Sequence, residues 1–134
     1  MTITINCGRR AAPAVFAATF VLGLFATASA QAAGDAAKGQ AAFKAQCAVC
    51  HATTAGTNKI GPSLAGVGGR RAGTAPKFNY SAAMKNSGKT WNASTLDAYL
   101  TKPSKVVPGT RMAYAGQANT ATRQDIIAYL FSLK

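Results

Sequence analysis

Cys47-Ala48-Val49-Cys50-His51 contains the only histidine of a 134-residue chain and two of its three cysteines. Three residues apart on a helical turn, the two thiols face one way, and the imidazole follows at once. That arrangement suits covalent attachment of a haem through two thioethers, with the imidazole taking the iron from one side. A structural zinc site needs four ligands, and one histidine with one CxxC pair cannot supply them without carboxylates. A thioredoxin-like dithiol also uses CxxC, to lower a thiol pKa, but it belongs in a βαβ setting. No strand–helix alternation flanks this segment. In an oxidising space Cys47 and Cys50 could instead form a disulfide, a fate that thioether formation excludes because it consumes the same sulfurs.

The chain opens like an exported one. Arg9 and Arg10 precede an apolar stretch from Ala11 to about Ala28, and Ala28-Ser29-Ala30 offers the small residues that a signal peptidase reads. Residues 1–30 are expected to be a signal peptide, cleaved after Ala30 or, as the next choice, after Ala32 or Ala33. The apolar stretch falls short of the roughly 20 residues of a spanning helix. Cys7 lies before it and leaves with the signal peptide. Residues 31–134 then form one small domain located in the bacterial periplasm, or outside the cell.

Charge narrows the partners. Lys and Arg total 15 against 3 acidic residues, a net charge of +12. A field of that sign favours fast, salt-sensitive encounter with an acidic surface. The basic residues are scattered and no nucleic-acid-binding motif accompanies them, so an acidic protein is the expected partner and nucleic acid is not.

Three helices are expected, joined by long loops. Asp35 caps the first, which runs to about Gln46 with Ala36, Gly39 and Phe43 along one face. The second main helix covers Ser94 to Thr101, with Ser94 and Asp97 as a capping box and Pro103 as its stop. The last runs from about Thr120 to Leu133, with Thr122 and Asp125 as its box and Ile126, Tyr129, Leu130 and Leu133 on one face. A weaker short helix spans Ser81 to Asn86. Glycine in mid-helix costs about 1 kcal/mol relative to alanine, so Gly39 points to close approach of the first helix to the last, beside Phe43 and Tyr129. Between residues 52 and 80 the chain has almost no periodicity. A loop that long is unusual in a compact domain, unless it wraps a large apolar cofactor.

Iron held by one histidine needs a sixth ligand or stays open. Met84 and Met112 are the candidates once Met1 is lost. Met84 reads as a core or rim residue. Met112 follows Pro108-Gly109-Thr110-Arg111, a turn that can present its sulfur, and is favoured.

The chain closely resembles a class I cytochrome c of the short soluble bacterial type that is similar to mitochondrial cytochrome c. The resemblance runs from Gly34 to Lys134. It rests on Gly34-Asp35-Ala36-Ala37-Lys38-Gly39, Phe43, the CAVCH segment, Ile60-Gly61-Pro62-Ser63-Leu64 and Gly69-Arg70-Arg71. It continues through Phe78-Asn79-Tyr80-Ser81, Met84-Lys85-Asn86-Ser87-Gly88 and Thr90-Trp91. Lys102-Pro103, Pro108 to Met112 and Asp125 to Leu130 complete it.

The resemblance implies an all-α cytochrome c fold: three main helices, a short one, and long loops around one covalent haem c. It implies thioethers at Cys47 and Cys50, axial ligands His51 and Met112, and a Pro62 carbonyl bonded to the outer nitrogen of His51. Arg70, Tyr80 and Trp91 match positions that hold a haem propionate, and Tyr99 and Thr110 match positions near the methionine. Tyr114 stands where the family often has phenylalanine.

The function this implies is a periplasmic, monomeric one-electron carrier and not an enzyme. Its acidic partners would be of the kind of a quinol–cytochrome c reductase, terminal oxidase, reaction centre or periplasmic dehydrogenase. Lys59, Lys77, Lys102, Lys105 and Arg111 are the candidate docking charges. Three other readings remain: a haem enzyme with an open site, acting as a peroxidase or gas binder; a thiol oxidoreductase; and a dedicated redox subunit of one periplasmic oxidoreductase.

Overall fold

Among the described residues five helices form, four of them started by a polar side chain that caps the first turn. The computed structural model describes residues 34–134, so the expected signal peptide and its cleavage sites lie outside the described residues. The helices are α1 (Ala36–Gln46), α2 (Ala82–Lys85), α3 (Ala93–Thr101), α4 (Pro103–Val106) and α5 (Thr120–Ser132). Among the described residues there is no strand, only an isolated antiparallel bridge between Arg71 and Thr90. No helix among them is long and apolar enough to cross a membrane.

Asp35 caps α1 as expected, its carboxylate accepting from the backbone N–H of Ala37 at 2.8 Å and of Lys38 at 3.2 Å. Asp35 in turn donates its own N–H to the Asp125 carboxylate on α5 at 2.7 Å. That contact corrects the expected box at the last helix. Asn119, not Thr122, caps α5, accepting from the Thr122 N–H at 2.9 Å, and Asp125 is spent on α1. The box on α3 shifts in the same way. Asn92 accepts from the Thr95 N–H while Thr95 Oγ1 accepts from the Asn92 N–H, both at 2.9 Å. Asp97 bonds Arg123 instead. In both cases an asparagine two or three residues upstream outcompetes the threonine or serine, because it can reach the free N–H groups of the first turn.

Pro103 does more than stop α3. Its fixed φ and missing N–H suit a first helical position, so it also begins the four-residue α4. The expectation of one short helix is therefore corrected to two.

α1 packs along α5, and α3 packs on both α4 and α5. The α1–α5 crossing turns on Gly39. A Cβ there would collide with the Asp125 carbonyl oxygen and sit 2.9 Å from Tyr129 Cβ. Phe43 and Tyr129 flank the contact with ring centroids 5.4 Å apart. Ile126, only 1% exposed, lies with Ile127 and Leu130 in one core that also holds Phe43, Leu96, Leu100 and Trp91. All of these except Ile127 line a cavity.

Candidate functional site

The CAVCH segment continues the last turn of α1. Cys47 N–H bonds the Phe43 carbonyl at 2.8 Å, and the Cys50 and His51 N–H groups both return to the Cys47 carbonyl, at 3.1 and 2.9 Å. This tight turn brings both sulfurs and the imidazole to one cavity of about 640 Å³, within the roughly 300–1,000 Å³ of cofactor sites. Its walls include core residues, among them Phe43, Val67, Leu100 and Leu130. At its rim Val49 and Ile60 are 75% and 79% exposed.

His51 is held from two sides. Its Nδ1 lies 2.8 Å from the Pro62 carbonyl oxygen, and since a carbonyl only accepts, Nδ1 carries the proton. Nε2 is thereby the nitrogen with a free lone pair. Burial, opposed in part by the Pro62 bond, holds the ring below the ordinary histidine pKa, and the nearby Lys59 charge pushes the same way. The imidazole is neutral at pH 7, as a metal ligand must be. Gly61 lies flat against it, where a Cβ would collide with the ring.

Cys47 does not suit exchange chemistry. Both thiols are free, and burial, with the Cys50 charge second, pushes Cys47 up to about 11. An attacking dithiol needs the opposite shift.

Every predicted site residue lines this cavity: Cys47, Cys50, His51, Pro62, Arg70, Tyr80, Trp91, Tyr99, Thr110 and Met112. Met84 does as well, so lining alone does not choose between the methionines. Arg70 is fixed by its Nη1 donating to the Ala65 carbonyl at 2.8 Å and its Nη2 to the Ser63 carbonyl at 3.0 Å. Its Nε is buried without a partner. A buried cationic donor left over in this way calls for an anionic acceptor. Tyr80 accepts from the Ala75 N–H at 3.3 Å, and Tyr99 Oη lies 3.0 Å from Thr110 Oγ1. Burial raises both phenols, so each keeps a proton to donate.

Asn58, which organises the 54–63 loop with Ser63, escaped the sequence reading. Asn58 Oδ1 accepts from the Ser63 N–H at 2.9 Å while its Nδ2 donates to the Pro76 carbonyl at 3.0 Å. Ser63 Oγ, in turn, donates to the Thr54 carbonyl at 2.7 Å. Nothing in a stretch of Gly, Thr and Lys distinguished Asn58 beforehand.

Taken together, the cavity suits a large, flat, mostly apolar group with two thiol-reactive edges, an iron and an acid. The fold and site thus define an all-α protein whose cavity gathers two thiols and an imidazole as a covalent haem would require. A family model described as Cytochrome c matches residues 36–134. Cytochrome c2 of Rhodomicrobium vannielii is 50% identical over 105 residues, covering 78% of this chain and 83% of that protein. Cytochrome c2 of Rhodopila globiformis is 48% identical over 101 residues, covering 75% and 95%. Among solved structures, cytochrome cH from Methylobacterium extorquens superposes with a TM-score of 0.68 at 44% identity, covering 72% of this chain and 97% of that one. The chain belongs to the cytochrome c family. Membership implies covalent haem c and makes the protein an electron carrier, not an enzyme.

Proposed function

We propose that the protein is a periplasmic carrier of single electrons, with one haem c held by Cys47 and Cys50 and its iron ligated by His51 and Met112. Bound in the cavity, haem supplies a reversible one-electron couple. The observation that carries this reading is His51 itself: neutral, oriented through Nδ1 by Pro62, and adjacent to both thiols in one cavity. The Pro62 bond fixes the ring and strengthens Nε2 as a donor. Met112 is preferred to Met84 because Met84 is a core side chain, 7% exposed, on helix α2. Met112 sits half-buried on an irregular segment beside Thr110, at the wall of the cavity. A methionine ligand closes the iron to substrates and raises the potential. Arg70 would donate a hydrogen bond from its spare Nε–H to a propionate, with Tyr80 and Trp91 beside it.

The partners are acidic redox proteins, such as a quinol–cytochrome c reductase, terminal oxidase, reaction centre or periplasmic dehydrogenase. All three aspartates of the described residues are hydrogen-bonded within the fold. Asp35 and Asp125 join α1 to α5, and Asp97 bonds Arg123 at 2.7 Å. Lys77, Lys102 and Lys105 therefore present charge with no acidic neighbour. Lys59 and Arg111 bond the backbone carbonyls of Ala48 and Asn79. A redox titration tests the reading: wild type should show one reversible one-electron step. Met112→Ala should lower the midpoint and admit small ligands. A variant with wild-type potential would remove Met112 from the iron.

A further inference from the structure

The segment carrying Met112 has almost no backbone of its own to hold it. Among the described residues, no backbone–backbone hydrogen bond involves residues 111–116; the nearest are Thr110 N–H to Val107 and Gln117 N–H to Leu100. Side chains do the holding. Thr110 Oγ1 accepts from the Met112 N–H at 3.3 Å, and Arg111 donates to the Asn79 carbonyl. The third tether is a pair of bonds to a single atom. Tyr114 Oη donates to Gln46 Oε1 at 2.9 Å, and Gln117 Nε2 donates to the same oxygen at 3.1 Å. Gln46 is the last residue of α1, directly before Cys47. Gln117 is itself well anchored. Its side-chain oxygen accepts from the Asn119 N–H at 2.9 Å, and its carbonyl accepts from Arg123 Nη1 at 2.8 Å.

We propose that Tyr114, through Gln46, is a positioning residue that latches the Met112 segment to the thiol-bearing end of α1 and so limits how often the methionine side of the cavity opens. The inference rests on Met112 being the sixth ligand. Phenylalanine at this position would fill the same space without the Tyr114 bond, leaving only the Gln117 bond to Gln46. Gln46 is exposed, which makes each bond weak and the latch one that opens readily.

The test is the rate at which imidazole binds the ferric holoprotein at neutral pH, a reaction that requires Met112 to leave the iron. Tyr114→Phe should accelerate it by between about twofold and tenfold, the range one net hydrogen bond covers, and Gln46→Leu, which removes both bonds, by at least as much. Because both bonds end on one oxygen, adding Tyr114→Phe to Gln46→Leu should give no further gain. Melting temperatures should stay close to wild type, which separates a latch from a general loosening. Amide exchange at residues 113–117 should quicken in the same variants. Wild-type imidazole rates and exchange in both single variants would overturn the proposal, as would independent, multiplicative effects in the double variant. If wild type shows no methionine–iron band, the ligand assignment fails instead, and amide exchange still reports on the latch.

Discussion

His51 and Lys77 show opposite ways in which single residues are constrained. The histidine needs neighbours to be useful: Pro62 sets its tautomer, Gly61 covers its ring, and burial keeps it neutral. A sequence reading finds such a residue from CAVCH alone, because the thiols and imidazole are contiguous. Pro62 came only with the family resemblance. Lys77 is strained. It holds φ of 58°, the one non-glycine residue with positive φ among the described residues. That conformation costs an L-residue about 1–2 kcal/mol, and glycine avoids it while giving up about 0.5–1 kcal/mol of backbone entropy. Lys77→Gly should therefore stabilise the protein by roughly 0.5–1 kcal/mol, read as a higher midpoint in chemical denaturation. An unchanged or lower midpoint would show that the lysine side chain contributes more than its backbone costs.

At the scale of elements, the α1–α5 crossing is the contact most sensitive to one atom. Alanine favours a helix over glycine by about 1 kcal/mol, but overpacking costs about 1–3 kcal/mol and here meets backbone, which cannot swing away. Gly39→Ala should lose stability, and a gain in thermal melting would show that the helices can separate without cost. Asp35→Ala removes the cap of α1, with a definite pH signature. Hydrogen bonds from the Lys38 and Ala37 N–H groups hold the Asp35 carboxyl below its ordinary 3.8. A depressed carboxylate stabilises the fold above its unfolded pKa and loses that effect as pH falls through the folded value. Wild type and variant should differ in melting temperature at neutral pH and converge as pH drops below 3.8. A constant gap down to strongly acid pH would mean that the ionised cap is not the cause.

Helix positions were legible from periodicity, and Gly39 was legible as a crossing point. The caps of α3 and α5 were not. Each start is crowded with short polar residues, and only the path of the entering chain decides which of them reaches the free N–H groups. α4 was hidden behind Pro103, which reads equally as an end and a beginning. The latch was beyond reach for another reason: Gln46 lies 68 and 71 residues from Tyr114 and Gln117, and no local pattern encodes a contact that long.

Over the whole molecule, the +12 of the full chain falls to +10 once Arg9 and Arg10 leave with the expected signal peptide, and the three aspartates are each hydrogen-bonded within the fold, so positive charge dominates the surface. Reduction or oxidation by an acidic partner should slow as ionic strength rises, since screening at 0.1 M salt acts over about 10 Å. A rate indifferent to salt would leave the lysines with no steering role. The central claim is that His51 and Met112 close the iron of a thioether-bound haem, and the oxidised visible spectrum of the purified holoprotein at neutral pH tests it most directly. The prediction is a low-spin ferric spectrum carrying the weak far-red methionine–iron charge-transfer band. A high-spin spectrum without that band would contradict it and return the protein to an open-site haem chemistry.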